Sequence, residues 1–244
     1  MELKAKKILV LGAVAMATMV ALAPPTHAQG WEYSFAPYGW VAGLDGAVTT
    51  RGVTAAAEVD FADIFENLET GALLHFEAAQ GDWTVLADLV FLGIGQTTDR
   101  LQIDVDVDQL ILELGAGYAL TDTFEVLFGG RYVDIDVEAD FSGPVLNRIA
   151  GDQSWVDPFV GGRFQSEIND KWWFNFRGDV GGFGVGSDFT WNAAVHFVYE
   201  LNDRTALGLG YRILDIDYED GQGLSRFAYD METSGPQVGV EFRF

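Results

Sequence analysis

The stretch GPQVGVEFRF, residues 235–244, decides how the rest of the chain is read. Val238, Val240, Phe242 and Phe244 fall on one parity; Gln237, Gly239, Glu241 and Arg243 fall on the other. Successive side chains on a strand point to opposite faces, so this alternation describes a strand that is apolar on one side only. Ends of soluble domains fray and are usually polar. A segment of this kind calls for a partner strand and an apolar medium for one face.

The same rhythm recurs upstream. Trp83, Val85, Ala87, Leu89 and Phe91 alternate with Asp88 on the other parity, and Leu110, Leu112, Leu114, Ala116 and Tyr118 alternate with Glu113. Phe124, Val126, Phe128 and Tyr132 alternate with Glu125 and Arg131; Trp172, Phe174 and Phe176 with Asn175, Arg177 and Asp179. Trp191, Val195, Phe197 and Tyr199 alternate with Asn192, His196 and Glu200; Leu207, Leu209, Tyr211 and Ile213 with Arg212. Short connections (QGDW at 80–83, LTDT at 120–123, INDK at 168–171, LNDR at 201–204) take turns with longer or acidic ones at 44–69, 96–108, 139–154, 184–188 and 217–233. Ten strands result, over 31–43, 69–80, 83–96, 101–119, 123–139, 155–168, 172–184, 188–201, 205–219 and 233–244.

Composition selects among all-β architectures. The opening MELKAKKILVLGAVAMATMVALAPPTHAQG has a basic start, an apolar run from Ile8 to Ala23 and a small-residue exit, the layout of a secretory signal peptide. Its apolar run falls short of the roughly 20 residues a spanning helix needs. Cleavage is expected after Ala28, dividing the chain into a leader (1–28) and one folded domain (29–244). Removing Lys4, Lys6, Lys7 and Glu2 takes the net charge from −23 to −25. So acidic a chain has no electrostatic basis for binding nucleic acid, and with no cysteine it carries no disulfide. Yet 49% of its residues are apolar. An exported protein both greasy and acidic must sort the two by face or by zone. Short one-sided strands sort them in a membrane only as a closed antiparallel β-barrel, with short turns at one end and longer loops at the other.

An aromatic end preceded by alternating apolar residues resembles the C-terminal insertion signal of bacterial outer-membrane proteins. The stretch FAPYGWVAGLDG, residues 35–46, is similar to the opening of small proteobacterial outer-membrane barrels of unassigned function. The resemblance spans the mature chain. It implies an outer-membrane location in a Gram-negative cell, lipid and lipopolysaccharide as surroundings, and contact with the barrel-assembly machinery through the last strand. It implies no cofactor. Eight or twelve strands are the alternatives to ten, because AVTTRGVTAAAEV, residues 47–59, reads as a hairpin within the first long connection.

Parity assigns the lumen. A turn at Thr121–Thr123 sets Glu113 opposite Arg131, and a turn at Gly81–Asp82 sets His75 opposite Asp88. With Arg163, Arg177, Asp179 and Arg212 these residues form an interleaved network of arginines and carboxylates pointing inward. A ten-strand barrel is narrow enough for side chains to fill, so the network reads as an ion-pair filling and the protein as a barrel with a structural or small-solute role. A narrow cation-preferring channel is the alternative. Phe61, Ile64, Phe65 and Leu68 follow helical spacing after Asp60, a candidate N-cap, and place a short amphipathic helix near the outer mouth.

Enzymes on such barrels are proteases with acids and histidine at the outer rim, or lipid A acylases and deacylases. Here His75 and His196 point inward below the rim, and no serine has an evident partner, so a non-enzyme is expected. GGFGVG, residues 181–186, is a glycine-rich strand end with no nucleotide-binding context. A second acidic set lies at the outer ends of strands. Asp104, Asp106 and Asp108 continue the parity of Leu110; Asp136 and Glu138 that of Tyr132; Asp215 and Asp217 that of Ile213. Each strand thus swaps apolar for acidic on its outward face, while Ile103, Val105, Val133, Ile135, Leu214 and Ile216 point inward to pack a core above the bilayer. The acidic belt is expected to face itself across neighbouring strands, screened by water and salt or bridged by divalent cations such as Ca²⁺ or Mg²⁺.

Overall fold

A computed structural model of the chain describes residues 30–50, 52–98, 103–141 and 148–244. The expected leader, 1–28, lies outside them. The strands are β1 (Glu32–Trp40), β2 (Gly43–Thr50), β3 (Val53–Val59), β4 (Leu68–Gln80), β5 (Trp83–Thr98), β6 (Ile103–Thr121), β7 (Phe124–Phe141), β8 (Arg148–Asn169), β9 (Trp172–Gly181), β10 (Phe189–Asn202), β11 (Thr205–Asp220) and β12 (Phe227–Arg243). From β4 to β12 each strand pairs with the next, and β1 lies between β4 and β12, closing a barrel of ten antiparallel strands.

The closing seam runs from Ser34 opposite Arg243 to Trp40 opposite Gln237. Tyr33 and Phe244 seal its end by exchanging backbone bonds of 3.1 and 3.0 Å. The alternating tail therefore finds its partner in the first strand, as its pattern requires. Its apolar parity points outward: Val238 and Phe242 are exposed, like Val85, Leu114, Phe128, Phe176, Phe197 and Leu209 on other strands. Near the short turns, Trp83 packs on Tyr118 with centroids 4.9 Å apart, and Trp172 on Tyr199 at 5.0 Å. Such aromatics suit a membrane–water interface, with one apolar side and one polar handle.

Past the apolar band the strands continue. β8 begins at Arg148 rather than 155 and β12 at Phe227 rather than 233, whereas β9 stops at Gly181 rather than 184. Much of what reads as acidic loop is therefore strand. The physical reason is that side chains of the extension, Tyr229 and Met231 on β12 among them, still point inward there and find a core. Val90, Ile111, Val133, Ile135, Trp155, Leu214, Ile216, Tyr218, Tyr229 and Met231 form that core in the upper barrel. Trp155 stacks on Tyr218 at 3.9 Å with planes 10° apart, and Gln153 and Gln109 donate to the Tyr218 and Tyr229 hydroxyls.

The hairpin read as an alternative is present, but it does not add spanning strands. β2 pairs with the outer half of β12, from Ser234 opposite Gly43 to Phe227 opposite Thr50, and β3 pairs with β2. The short helix is also present, over Phe61–Asn67, packed against β2 and β5. Asp60 occupies the N-cap, yet its side chain makes no capping bond. Of the four residues expected on the apolar face, Ile64 is buried and Phe65 is 65% exposed, while Leu68 opens β4. The helix is anchored by one side chain rather than by a full stripe.

Candidate functional site

Five inward positions lie on one rung across adjacent strands. His75 on β4 is opposite Asp88 on β5, Asp88 is opposite Glu113 on β6, Glu113 is opposite Arg131 on β7, and Arg131 is opposite Asp157 on β8. The pairs His75–Asp88 and Glu113–Arg131 are those the turn lengths require. At the second turn the chain uses two turn residues and a bulge between Ala119 and Thr121, which leaves the register unchanged.

From the opposite wall, three more strands send side chains across the lumen to this rung. Arg131 donates from Nε to Glu113 at 2.9 Å, from Nη2 to Asp179 at 2.8 Å and from Nη1 to Thr190 at 3.0 Å. Arg177 reaches Glu113 at 2.7 Å and Asp179 at 3.0 Å. Arg212 donates to Asp88 at 3.0 Å, Glu113 at 2.9 Å and Asn192 at 2.8 Å. Asn192 in turn donates to Asp179 at 2.9 Å, and the Tyr38 hydroxyl donates to Asp88 at 3.0 Å. Arg131, Glu113 and Asp157 are all 0% exposed. Charges so removed from water are tolerated only when nearly every donor and acceptor is matched. Here, among the described residues, Asn175 Oδ1 is the sole buried side-chain polar atom without a partner.

Aromatic faces complete the cage. Phe159 lies under the guanidiniums of both Arg131 and Arg177, 5.6 and 5.4 Å from its centroid, and Trp40 lies under Arg212 at 5.1 Å. The Phe159 ring fits because Gly115 and Gly129 face each other beneath it; a Cβ on Gly129 would stand 2.7 Å from the ring. Asp157 is held differently, by Ser187 N at 2.6 Å, Ser187 Oγ at 2.7 Å and Trp155 Nε1 at 3.1 Å.

A second group joins the network at His75, which contacts Asp88 at 3.1 Å and Glu77 at 2.9 Å. Glu77 pairs with Arg163, which also donates to Glu125 at 2.8 Å. His196 sits apart from the carboxylates, against Gln237 at 2.8 Å. Glu200, Glu241 and Arg243 form a more exposed cluster at the closing seam. All eight lumen residues expected from parity thus belong to one connected set. Parity also contained Asn192, though without a role. Asp157 shares the parity of Arg163 and was legible on that basis. Tyr38, Trp40 and Phe159 also fall on the inward parity, but nothing in the sequence assigns Tyr38 to Asp88 or the two rings to the guanidiniums above them, and Ser187 acts from a loop.

Backbone register sets acids of the outer ends opposite one another. Asp104 is opposite Asp140, Asp106 opposite Glu138 and Asp108 opposite Asp136, which is itself opposite Asp152 on β8. The side chains of Asp104, Asp106 and Glu138 lie outside the described residues. Across the barrel, Asp215 is opposite Glu232 and Asp217 opposite Asp230. Partial burial raises the carboxyl pKa of both Asp215 and Asp217, and Asp230 raises each further. Among the described residues no three acids or histidines converge as metal ligands.

No known family model matches the chain, and no curated protein does. Solved structures do. The outer membrane protease OmpT from Escherichia coli aligns with a TM-score of 0.50 at 7% identity, over 88% of this chain and 97% of that one. The translocator domain of autotransporter NalP from Neisseria meningitidis aligns at 0.46 with 13% identity, over 100% and 98% of the two chains. Ail of Yersinia pestis aligns at 0.40 with 12% identity, over 88% and 99%. At 7% identity the likeness to OmpT concerns the fold alone, and this chain is a closed antiparallel barrel of ten strands, of the outer-membrane type.

Proposed function

We propose that this protein is a resident outer-membrane barrel with a structural or small-solute role, whose lumen is occupied by its own side chains and does not conduct. The observation that carries the reading is the fully buried Arg131–Glu113–Asp179 cluster, fed from both walls of the barrel. A conducting path would have to break these pairs and hydrate their charges. Below the cluster Leu86, Leu127 and Phe159 are packed together; above it stands the core around Trp155. The wall is lipid-facing, with lipopolysaccharide as the outer neighbour and the barrel-assembly machinery engaging β12.

A cation-preferring channel is the competing reading, favoured by the acidic rungs around the outer end. Planar-bilayer recording on the purified barrel separates the two. The expected result is no discrete openings; stable cation-selective openings would remove the plugged-barrel reading. On this reading the barrel carries out no catalysis of the kind OmpT's name announces. His75 is engaged by two carboxylates in the lumen and His196 by Gln237, so neither is presented to a substrate at the outer rim.

A further inference from the structure

The segment Gly182–Ser187 (GFGVGS) joins β9 to β10 and takes no part in the ion network except through its last residue. It is wound tightly. Gly182, Phe183 and Gly184 have φ of 82, 53 and 71°, and Phe183 is the only non-glycine with positive φ among the described residues. A left-handed phenylalanine is sterically disfavoured and persists only where its surroundings hold it. The surroundings do hold it. Gly184 N bonds Ser187 O at 3.0 Å, Val185 N bonds Gly182 O at 3.0 Å, and Gly182 N bonds Pro158 O at 3.0 Å. Ser187, 0% exposed, is pinned by both oxygens of Asp157. On this rigid base Phe183 is 55% exposed and Val185 74%. Strain is normally retained for a purpose, and here it holds two apolar side chains away from the core.

Their level in the membrane indicates the purpose. β9 has ten residues, Trp172–Gly181, close to the 9–11 that a tilted strand needs to cross the hydrocarbon. Its neighbour β8 has 22 and runs far beyond. The tip of β9 therefore ends at the hydrocarbon edge, where other strands have entered their extracellular extension. Lipid-facing Val180 and Phe189 bracket the segment. Asp188, which closes it, is exposed and acts on Asp217 of the acidic belt, so water begins there. We propose that Phe183 and Val185 form an apolar finger seated in the outer-leaflet boundary beside β9, fixing the depth of the barrel where its wall is lowest. Side chains at this level, continuous with the lipid-facing band, remove apolar area from water by entering lipid. A protein partner would find them flanked by a membrane surface.

The chain has no cysteine, so single-cysteine labelling is clean. Phe183→Cys and Val185→Cys, each carrying a nitroxide, are compared with Leu209→Cys on the lipid-facing wall and Leu224→Cys between β11 and β12, a residue 82% exposed. The chain is refolded into phospholipid vesicles, and collision with oxygen is measured against collision with a water-soluble nickel chelate. The expected oxygen-to-chelate ratio at 183 and 185 groups with 209 and exceeds that at 224 several-fold. Ratios grouped with 224 would overturn the proposal and leave the finger as a surface facing the medium. Should Phe183→Cys fail to give heat-modifiable barrel, the Val185→Cys label, which leaves the strained residue intact, decides alone.

Discussion

At the level of single residues, the lumen is a set of charges each of which needs several partners. Arg131 is the most demanding, since it serves Glu113, Asp179 and Thr190 with three different nitrogens. Arg131→Ala would leave two buried carboxylates short of a cation, and removing one member of a buried pair costs about 3–5 kcal/mol. Equilibrium urea unfolding of the refolded barrel should show a loss of that size; a loss no larger than an exposed ion pair provides would mean that water enters the cluster. Trp155→Ala should be comparably costly, about 3–5 kcal/mol, because it empties the stack on Tyr218 and takes a donor from Asp157. Of these residues, His75 with Asp88 and Glu113 with Arg131 could be paired from turn length alone. Asp179, Arg177 and Arg212 could be assigned to the lumen but not to partners. Their partners across the lumen, Arg131, Glu113 and Asp88, lie on strands that are not neighbours, and the stagger of the strands, which no single hairpin encodes, decides which rung meets which.

Among the strands, the acidic belt sets the behaviour of the outer end. The pKa shifts of Asp215 and Asp217 are upward, so the folded state holds protons more tightly than the unfolded chain, whose ordinary value is 3.8. These two groups then bind more protons in the folded state through the window above 3.8, and what they contribute to stability falls as pH rises across it. The denaturant midpoint of a variant carrying Asp215→Asn with Asp217→Asn should accordingly gain on that of the unchanged chain as pH rises through that window. On β6 and β7, Asp108 faces Asp136. Like charges directly opposite are unfavourable, and Asp136 stands between Asp108 and Asp152, so Asp136→Asn should stabilise by about 0.2–1 kcal/mol. Raising salt should shrink that gain. If screening alone governs the belt, EDTA leaves the melting temperature where it was; a fall reversed by Ca²⁺ would establish bridging cations instead. The strands themselves were legible because period two survives from the apolar band into the acidic one. Their outer ends were less so at β8, where Gly151, Asp152 and Ser154 have the composition of a loop, and at β12, where Ala228, Tyr229, Asp230, Met231 and Glu232 sit within an acidic connection. Pairing with strands already in place overrides that composition.

For the whole molecule, the agreement of strand rhythm and turn asymmetry made the barrel readable before any contact was known. The hairpin β2–β3 shows the limit. It has the same period as a spanning strand, and only length and pairing reveal that it decorates the extension. A chain lacking 47–59 should therefore still close its ten strands and show heat-modifiable migration on gels, whereas one lacking β9 should not. The span of the ion network has a further consequence. Arg212 meets Asp88 across 124 positions and Glu113 across 99. Contacts between such distant positions form late, after the intervening chain has been ordered. The network cannot guide the early stages of insertion; it behaves as a latch, engaged once the wall is complete. Interactions that mature after the rate-limiting barrier slow escape without hastening entry. Arg212→Met should then leave the rate of insertion into vesicles nearly untouched while extraction by denaturant becomes faster, giving a protein that assembles normally and has a shorter lifetime once assembled.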